Sequence, residues 1–267
     1  MKRLLRPLIV CLLVVGVCSC AGRQGTSQNV QESWSAARLP ANGQLLLVLA
    51  NDWNATSGEL RYYDRTDAGW VLAGGPLFVN LGRNGLAWGN GLERGELGGK
   101  ADGAVNKREG DGRAPAGAFA LDEGFAYDTA EAGTTKLPVL QADKDLLCVD
   151  DVASAHYNAF VRQSAVVKDW NSAEDMHRAD GQYRFGVMVR NNMDPVRPGG
   201  GSCIFMHIWL RKGYASSGCT NMAPEHMLTL LRWLESSRQP TLVQLPVSEY
   251  RRLHTAWALP DVELGAK

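Results

Sequence analysis

At 267 residues the chain is long enough to bury a substantial core, in one large domain or two small ones. Its hydrophobic content of 45% and charged content of 21% are those of a folded protein and exclude a wholly disordered chain. Its 28 Lys+Arg balance 28 Asp+Glu, so no basic excess is present to hold nucleic acid, and no nucleic-acid partner is expected.

The first element is a targeting segment rather than part of the fold. MKRLLRP supplies a basic start (Lys2, Arg3, Arg6), and LIVCLLVVGVC supplies an apolar stretch too short for a comfortable membrane span. It ends in Val17-Cys18-Ser19-Cys20, which resembles a bacterial lipobox and predicts a signal peptide over 1–19 with lipidation at Cys20. A plain secretory signal and an uncleaved anchor are the simpler alternatives. Cleavage before Cys20 would take Lys2, Arg3 and Arg6 from the 28 Lys+Arg and leave all 28 Asp+Glu, a net charge of −3. Such a protein would be exported and membrane-tethered through its lipid, on the periplasmic face of a bacterial membrane. Residues 20–40 are rich in Ser, Gln and Gly and read as a flexible tether.

From residue 41 onward the patterning is that of a folded domain reaching to 267. QLLLVLAND, ELRYYDRT and GWVLAGG are short apolar or alternating runs parted by turn residues, a strand-and-hairpin signature. Gly and Pro are dense through GRNGLAWGNGL and KREGDGRAPAGAFAL, which excludes a continuous helix there. KLPVL, YRFGVMV and SCIFMHIW return to strand patterning. SAEDMHRAD (172–180) is expected to form a short helix, with Ser172 and Asp175 as a weak capping box. PEHMLTLLRWLESS (224–237) is the clearest helix: Pro224 suits the first helical position, and Met227, Leu228, Leu231 and Leu234 share a face. TLVQLP reads as a closing strand. The expected class is mainly β, with one or two short helices.

Three of the six cysteines (Cys11, Cys18, Cys20) belong to the targeting segment, which leaves Cys148, Cys203 and Cys219 in the body. In an oxidising compartment an odd count suggests one pair and one free thiol. A Cys148–Cys203 disulfide would leave Cys219 free. Two buried thiols, or a Cys203–Cys219 bridge that would silence Cys219, are the other arrangements.

Cys219 lies in HIWLRKGYASSGCTNM, where His207 ends a predicted strand and Pro224 opens a predicted helix. A thiol becomes nucleophilic when an imidazolium or a helix N-terminus favours its thiolate. On the strand SCIFMHIW, Cys203 and His207 are expected to share a face. A His and a Cys twelve positions apart are, by spacing alone, usually unrelated core or surface residues.

The residues around them add more. Ser216, Gly218, Cys219 and Asn221 match the signature of the L,D-transpeptidase (YkuD-type) catalytic domain, with Ser217 where that motif has a second His and Thr220 at its hydrophobic position. Upstream, KREGDGRAPAGAF resembles the family's Gly-Asp-Gly…Pro-x-Gly segment, and the likeness spans roughly residues 44–246. The resemblance implies an L,D-transpeptidase-like β-sandwich and a Cys219 nucleophile that forms a thioacyl intermediate. His207 would be the base, oriented by the backbone carbonyl of Ile208. The N–H groups of Gly218 and Cys219 would face the oxyanion, and Ser216, Ser217 and Asn221 would line the substrate site.

The implied substrate is a peptidoglycan stem peptide, with no cofactor and no metal. The acyl acceptor would be a side-chain amine, a lipoprotein lysine, a free D-amino acid or water. Two other functions share this framework: a carboxypeptidase- or amidase-type hydrolase using the same Cys/His pair, and a non-catalytic wall-binding lipoprotein.

Overall fold

The computed structural model describes residues 43–92 and 105–264, all within one compact unit spanning 34–267. The signal peptide, Cys20 and the tether lie outside the described residues.

Strand β1 (Gln44–Ala50), reading QLLLVLA, is buried at every position. A run apolar on both faces suits a strand covered on both sides. It pairs antiparallel with β2 (Ser57–Thr66), which turns back into β3 (Gly69–Asn80). After β4 (Leu86–Trp88) comes its parallel partner β5 (Ala114–Ala120). The chain continues through β6 (Gly124–Ala126), the single-turn helix α1 (Thr129–Ala132) and β7 (Val139–Gln141). Strands β8 (Leu146–Val149), β9 (Ala159–Arg162) and β10 (Ala173–Asp175) then form a separate sheet in the order β10-β8-β9. The last segment supplies β11 (Phe185–Met188), β12 (Phe205–Ile208), β13 (Thr220–Met222), α2 (Pro224–Trp233), β14 (Thr241–Pro246) and α3 (Val247–Leu253). The main sheet runs β4-β5-β14-β1-β2-β3-β13-β12-β11-β6-β7. The mainly β class read from the sequence holds.

Helix α2 packs Met227, Leu230 and Leu231 into the core and has Pro224 at its start. Its far end is tied to β1 by one buried amide. Gln44 Nε2 donates to Trp233 O at 2.9 Å, and Gln44 Oε1 accepts from Glu235 N–H at 2.8 Å. These two hydrogen bonds satisfy the Trp233 carbonyl, which the helix end leaves unpaired, and the Glu235 N–H just beyond it. They also stop the helix at Trp233, short of the expected residue 237, and a 3₁₀ turn (Ser236–Arg238) follows. The buried face includes Leu230 where the sequence pattern places Leu228.

The expected helix at 172–180 is absent. Ala173–Asp175 is strand β10, with Glu174 opposite Cys148 of β8. Asp175 Oδ1 accepts from His177 N–H at 2.8 Å, so its carboxylate closes a turn rather than a helix cap. Pairing with β8 outweighs a weak local helical preference. Helix α3, unforeseen in the sequence pattern, contributes buried Tyr250 and Leu253.

The two sheets are joined by a small core and a covalent bond. Phe205 of β12 stacks on Phe160 of β9 at 5.6 Å, and Phe125 meets Phe205 edge-on at 5.3 Å. Cys148 of β8 is disulfide-bonded to Cys203, with Cα atoms 5.9 Å apart. Cys203 does not lie in β12 beside His207; it precedes the strand with φ 52° and is turned to the accessory sheet. Closing a loop of 55 residues constrains the unfolded chain by about 4 kcal/mol.

Candidate active site

Strands β12 and β13 are parallel neighbours, with Met206 opposite Thr220 and His207 opposite Asn221. Cys219, one residue before β13, therefore falls beside Phe205, and its Sγ accepts from Phe205 N–H at 3.3 Å. The thiol in turn donates to Cys203 O at 3.6 Å. Cys219 is the free cysteine among the described residues and is 8% exposed.

His207 is 4% exposed. Its Nδ1 lies 2.8 Å from Ile208 O. A carbonyl can only accept, so Nδ1 carries the hydrogen and the neutral ring keeps its lone pair on Nε2. The ring of Tyr183 stands edge-on to it at 5.0 Å and 84°.

Cys219 and His207 line one cavity of about 420 Å³, together with Arg83, Glu174, Arg178, Tyr183, Ser216, Ser217 and Asn221. A larger cavity of about 770 Å³, lined by residues such as Leu49, Phe78 and Val247, contains neither of the pair.

A match to a protein-family model described as the L,D-transpeptidase catalytic domain covers residues 53–247. The chain belongs to the L,D-transpeptidase catalytic domain family. No curated protein and no solved structure matches it.

Within this L,D-transpeptidase domain the two central groups are both uncharged at rest. Burial, and after it the charge of the nearby Glu174 carboxylate, pushes the Cys219 thiol up to about 12. Burial also takes His207 down to about 4, against the bond to Ile208 O, which favours the protonated ring. The expectation of a thiolate favoured by the helix after Pro224 is not met, because strand β13 separates Cys219 from the start of α2.

The turn before the nucleophile is held by its own polar atoms. Ser216 Oγ donates to Cys219 O at 2.5 Å and accepts from Gly218 N–H at 3.0 Å. The Gly218 N–H would thus have to leave Ser216 to serve an oxyanion. Gly218 has φ 149°, and an added Cβ would sit 3.1 Å from Arg113 O. Both facts favour glycine there. Ser217, standing where the family motif has a second His, accepts from Arg83 Nη1 at 2.8 Å. Asn221 Oδ1 accepts from Asn80 Nδ2 at 2.8 Å, a buried bond between β13 and β3. Although it borders the cavity, its amide oxygen is committed to the scaffold.

Sequence reasoning missed Glu174, Tyr183, Arg83 and Arg178. Glu174 sat inside a segment read as helix, and Tyr183 looked like one more strand aromatic. Arg83 follows β3, far from the motif in sequence, and no spacing rule links it to Ser217. Trp209, which follows β12, packs against Phe78 at 6.1 Å.

Proposed function

We propose that the protein is a cysteine-dependent L,D-transpeptidase acting on peptidoglycan stem peptides through a thioacyl-enzyme. The observation that carries this reading is the Nδ1–H of His207 bound to Ile208 O in the cavity that also holds the Cys219 thiol. The bond fixes ring and tautomer, so Nε2 is the basic nitrogen available for the thiol proton.

The neutral pair ionises only as substrate arrives. Sγ attacks the donor carbonyl while its proton passes to His207. The carbon–nitrogen bond to the terminal residue then breaks, and His207 returns the proton to the leaving amine. The resulting thioester is resolved by an acceptor amine, which forms a new amide and restores the thiol. Water as the acceptor would give the hydrolase outcome from the same intermediate.

The test is to incubate the protein with a stem tetrapeptide and follow intact mass. An adduct on the wild type that is absent from Cys219→Ala supports the reading; an unmodified wild type with unchanged peptide overturns it. Export and lipidation at Cys20 belong to the same proposal, supported by the lipobox-like Val17-Cys18-Ser19-Cys20 and by a disulfide typical of oxidising compartments. Globomycin treatment should make an uncleaved precursor accumulate, and an unaffected precursor would exclude lipobox processing.

A further inference from the structure

Strand β10 carries one carboxylate from the accessory sheet into the cavity of Cys219 and His207. Glu174 Oε2 accepts from the Tyr183 hydroxyl, whose ring stands edge-on to His207. Among the described residues Oε1 has no hydrogen-bond partner, and no Lys or Arg forms an ion pair with Glu174. Arg178 is nearby, its guanidinium 5.1 Å from the Tyr183 ring centroid, but it is paired with Asp180. Burial is the main factor raising the Glu174 pKa, and the like charges of Asp150 and Glu109 add to it, while the Tyr183 hydrogen bond and the Arg178 charge oppose it.

A carboxylate here works against the nucleophile, since its charge opposes thiolate formation at Cys219. If its task were only to hold the Tyr183 hydroxyl, a glutamine would do so without that penalty. Arg178, bound to Asp180, offsets that charge without pairing with Glu174, which leaves the carboxylate able to take a further cation. We propose that Glu174 is the seat and proton acceptor for the cationic amine of the acyl acceptor, with Tyr183 fixing the carboxylate. This rests on the transpeptidase reading above.

The step balances without another reactant. The acceptor ammonium gives one proton to the Glu174 carboxylate, and the freed amine attacks the thioester carbon. Its second proton passes through His207 to sulfur as the carbon–sulfur bond breaks. Glu174 then releases its proton to solvent. A carboxylate whose pKa is raised by burial is a better base for this than an exposed one.

Glu174→Gln tests the assignment, because it keeps an acceptor for Tyr183 and removes only the charge. The full chain is given a stem tetrapeptide as donor and Nα-acetyl-lysine amide, in both configurations, as an amine that carries no carboxylate. Products are partitioned by mass spectrometry into amide and hydrolysis product. In the variant the amide-to-hydrolysis ratio should fall about tenfold or more, the loss expected for a hydrogen bond between charged groups. Alkylation of Cys219 by iodoacetamide should become faster, since the opposing charge is gone. An unchanged ratio overturns the proposal. So does a parallel fall of amide formation, hydrolysis and alkylation, which would mark Glu174 as scaffold. A wild type that acylates and hydrolyses but uses neither amine also overturns it, whereas a wild type that never acylates removes the transpeptidase reading itself.

Discussion

The imidazole of His207 is held by the carbonyl of the next residue, with Nδ1 2.8 Å from Ile208 O. The orienting group is backbone, so it is present whatever side chain occupies position 208. Replacing His207 with Ala removes the base while leaving Cys219 and its contacts in place. Acylation by a stem peptide should fall about 10²- to 10⁴-fold. Stopped mass spectrometry of the adduct checks this, and a loss under tenfold would mean that another group takes the thiol proton.

The pH dependence of acylation follows from the depressed His207. Its basic form persists down to about 4. The acid limb of kcat/KM for the donor should therefore lie near pH 4 rather than near the ordinary imidazole value. A limb at about 6.5 would contradict the buried neutral ring.

The same shift bears on stability. The unfolded chain binds the His207 proton below about pH 6.5, while the folded chain resists it down to about 4, so protonation favours unfolding across that window. At 1.36 kcal/mol per pH unit the loss reaches about 3 kcal/mol by pH 4. Urea denaturation at pH 7 and pH 4.5 should show a smaller acid loss for His207→Asn than for the wild type. Cys219 has the mirror behaviour on the alkaline side: its folded pKa is raised, so stability falls as pH climbs from about 9 towards 12.

The disulfide Cys148–Cys203 closes a loop of 55 residues. The double variant Cys148→Ser/Cys203→Ser should lose about 4 kcal/mol in urea unfolding. Proteolysis should then cut preferentially between residues 146 and 175, because the accessory sheet is left to its aromatic contacts and the hydrogen bonds of Glu174 and Asn158. A double variant with the wild-type midpoint would show that these non-covalent contacts secure the sheet without the disulfide.

Gly218 has φ 149° and faces Arg113 O. Gly218→Ala should cost about 1–3 kcal/mol of stability. Acylation should fall as well, since the turn that places Sγ is displaced. Circular dichroism melts and adduct formation measured together would reveal a variant that keeps both, which this geometry forbids.

Local pattern was a good guide where one segment explains itself. QLLLVLA is apolar at nearly every position and became a doubly covered strand, and Pro224 marked the first turn of α2 correctly. His207 and Cys219 were legible because they lie in one short motif. Pairing between distant segments was not. Glu174 is a strand residue only because β8 lies beside it, and the local signs at Ser172 and Asp175 point the other way. Gln44 ends α2 from 189 residues away in sequence. Arg83 reaches Ser217 across 134 residues. Such contacts depend on the sheet order, which no stretch of the chain encodes by itself.

The thiol and imidazole stand on the main sheet, while the carboxylate opposite them comes from the three-stranded sheet of residues 146–175. Reaction chemistry and partner choice are thus carried on separate structural units that share one covalent staple. A segment bounded in this way can diverge at its exposed positions while Phe160 and Cys148 keep it seated on the main sheet. Exchanging it between relatives, with Cys148 kept, offers a route to retargeting the enzyme by transplantation rather than by rebuilding its centre.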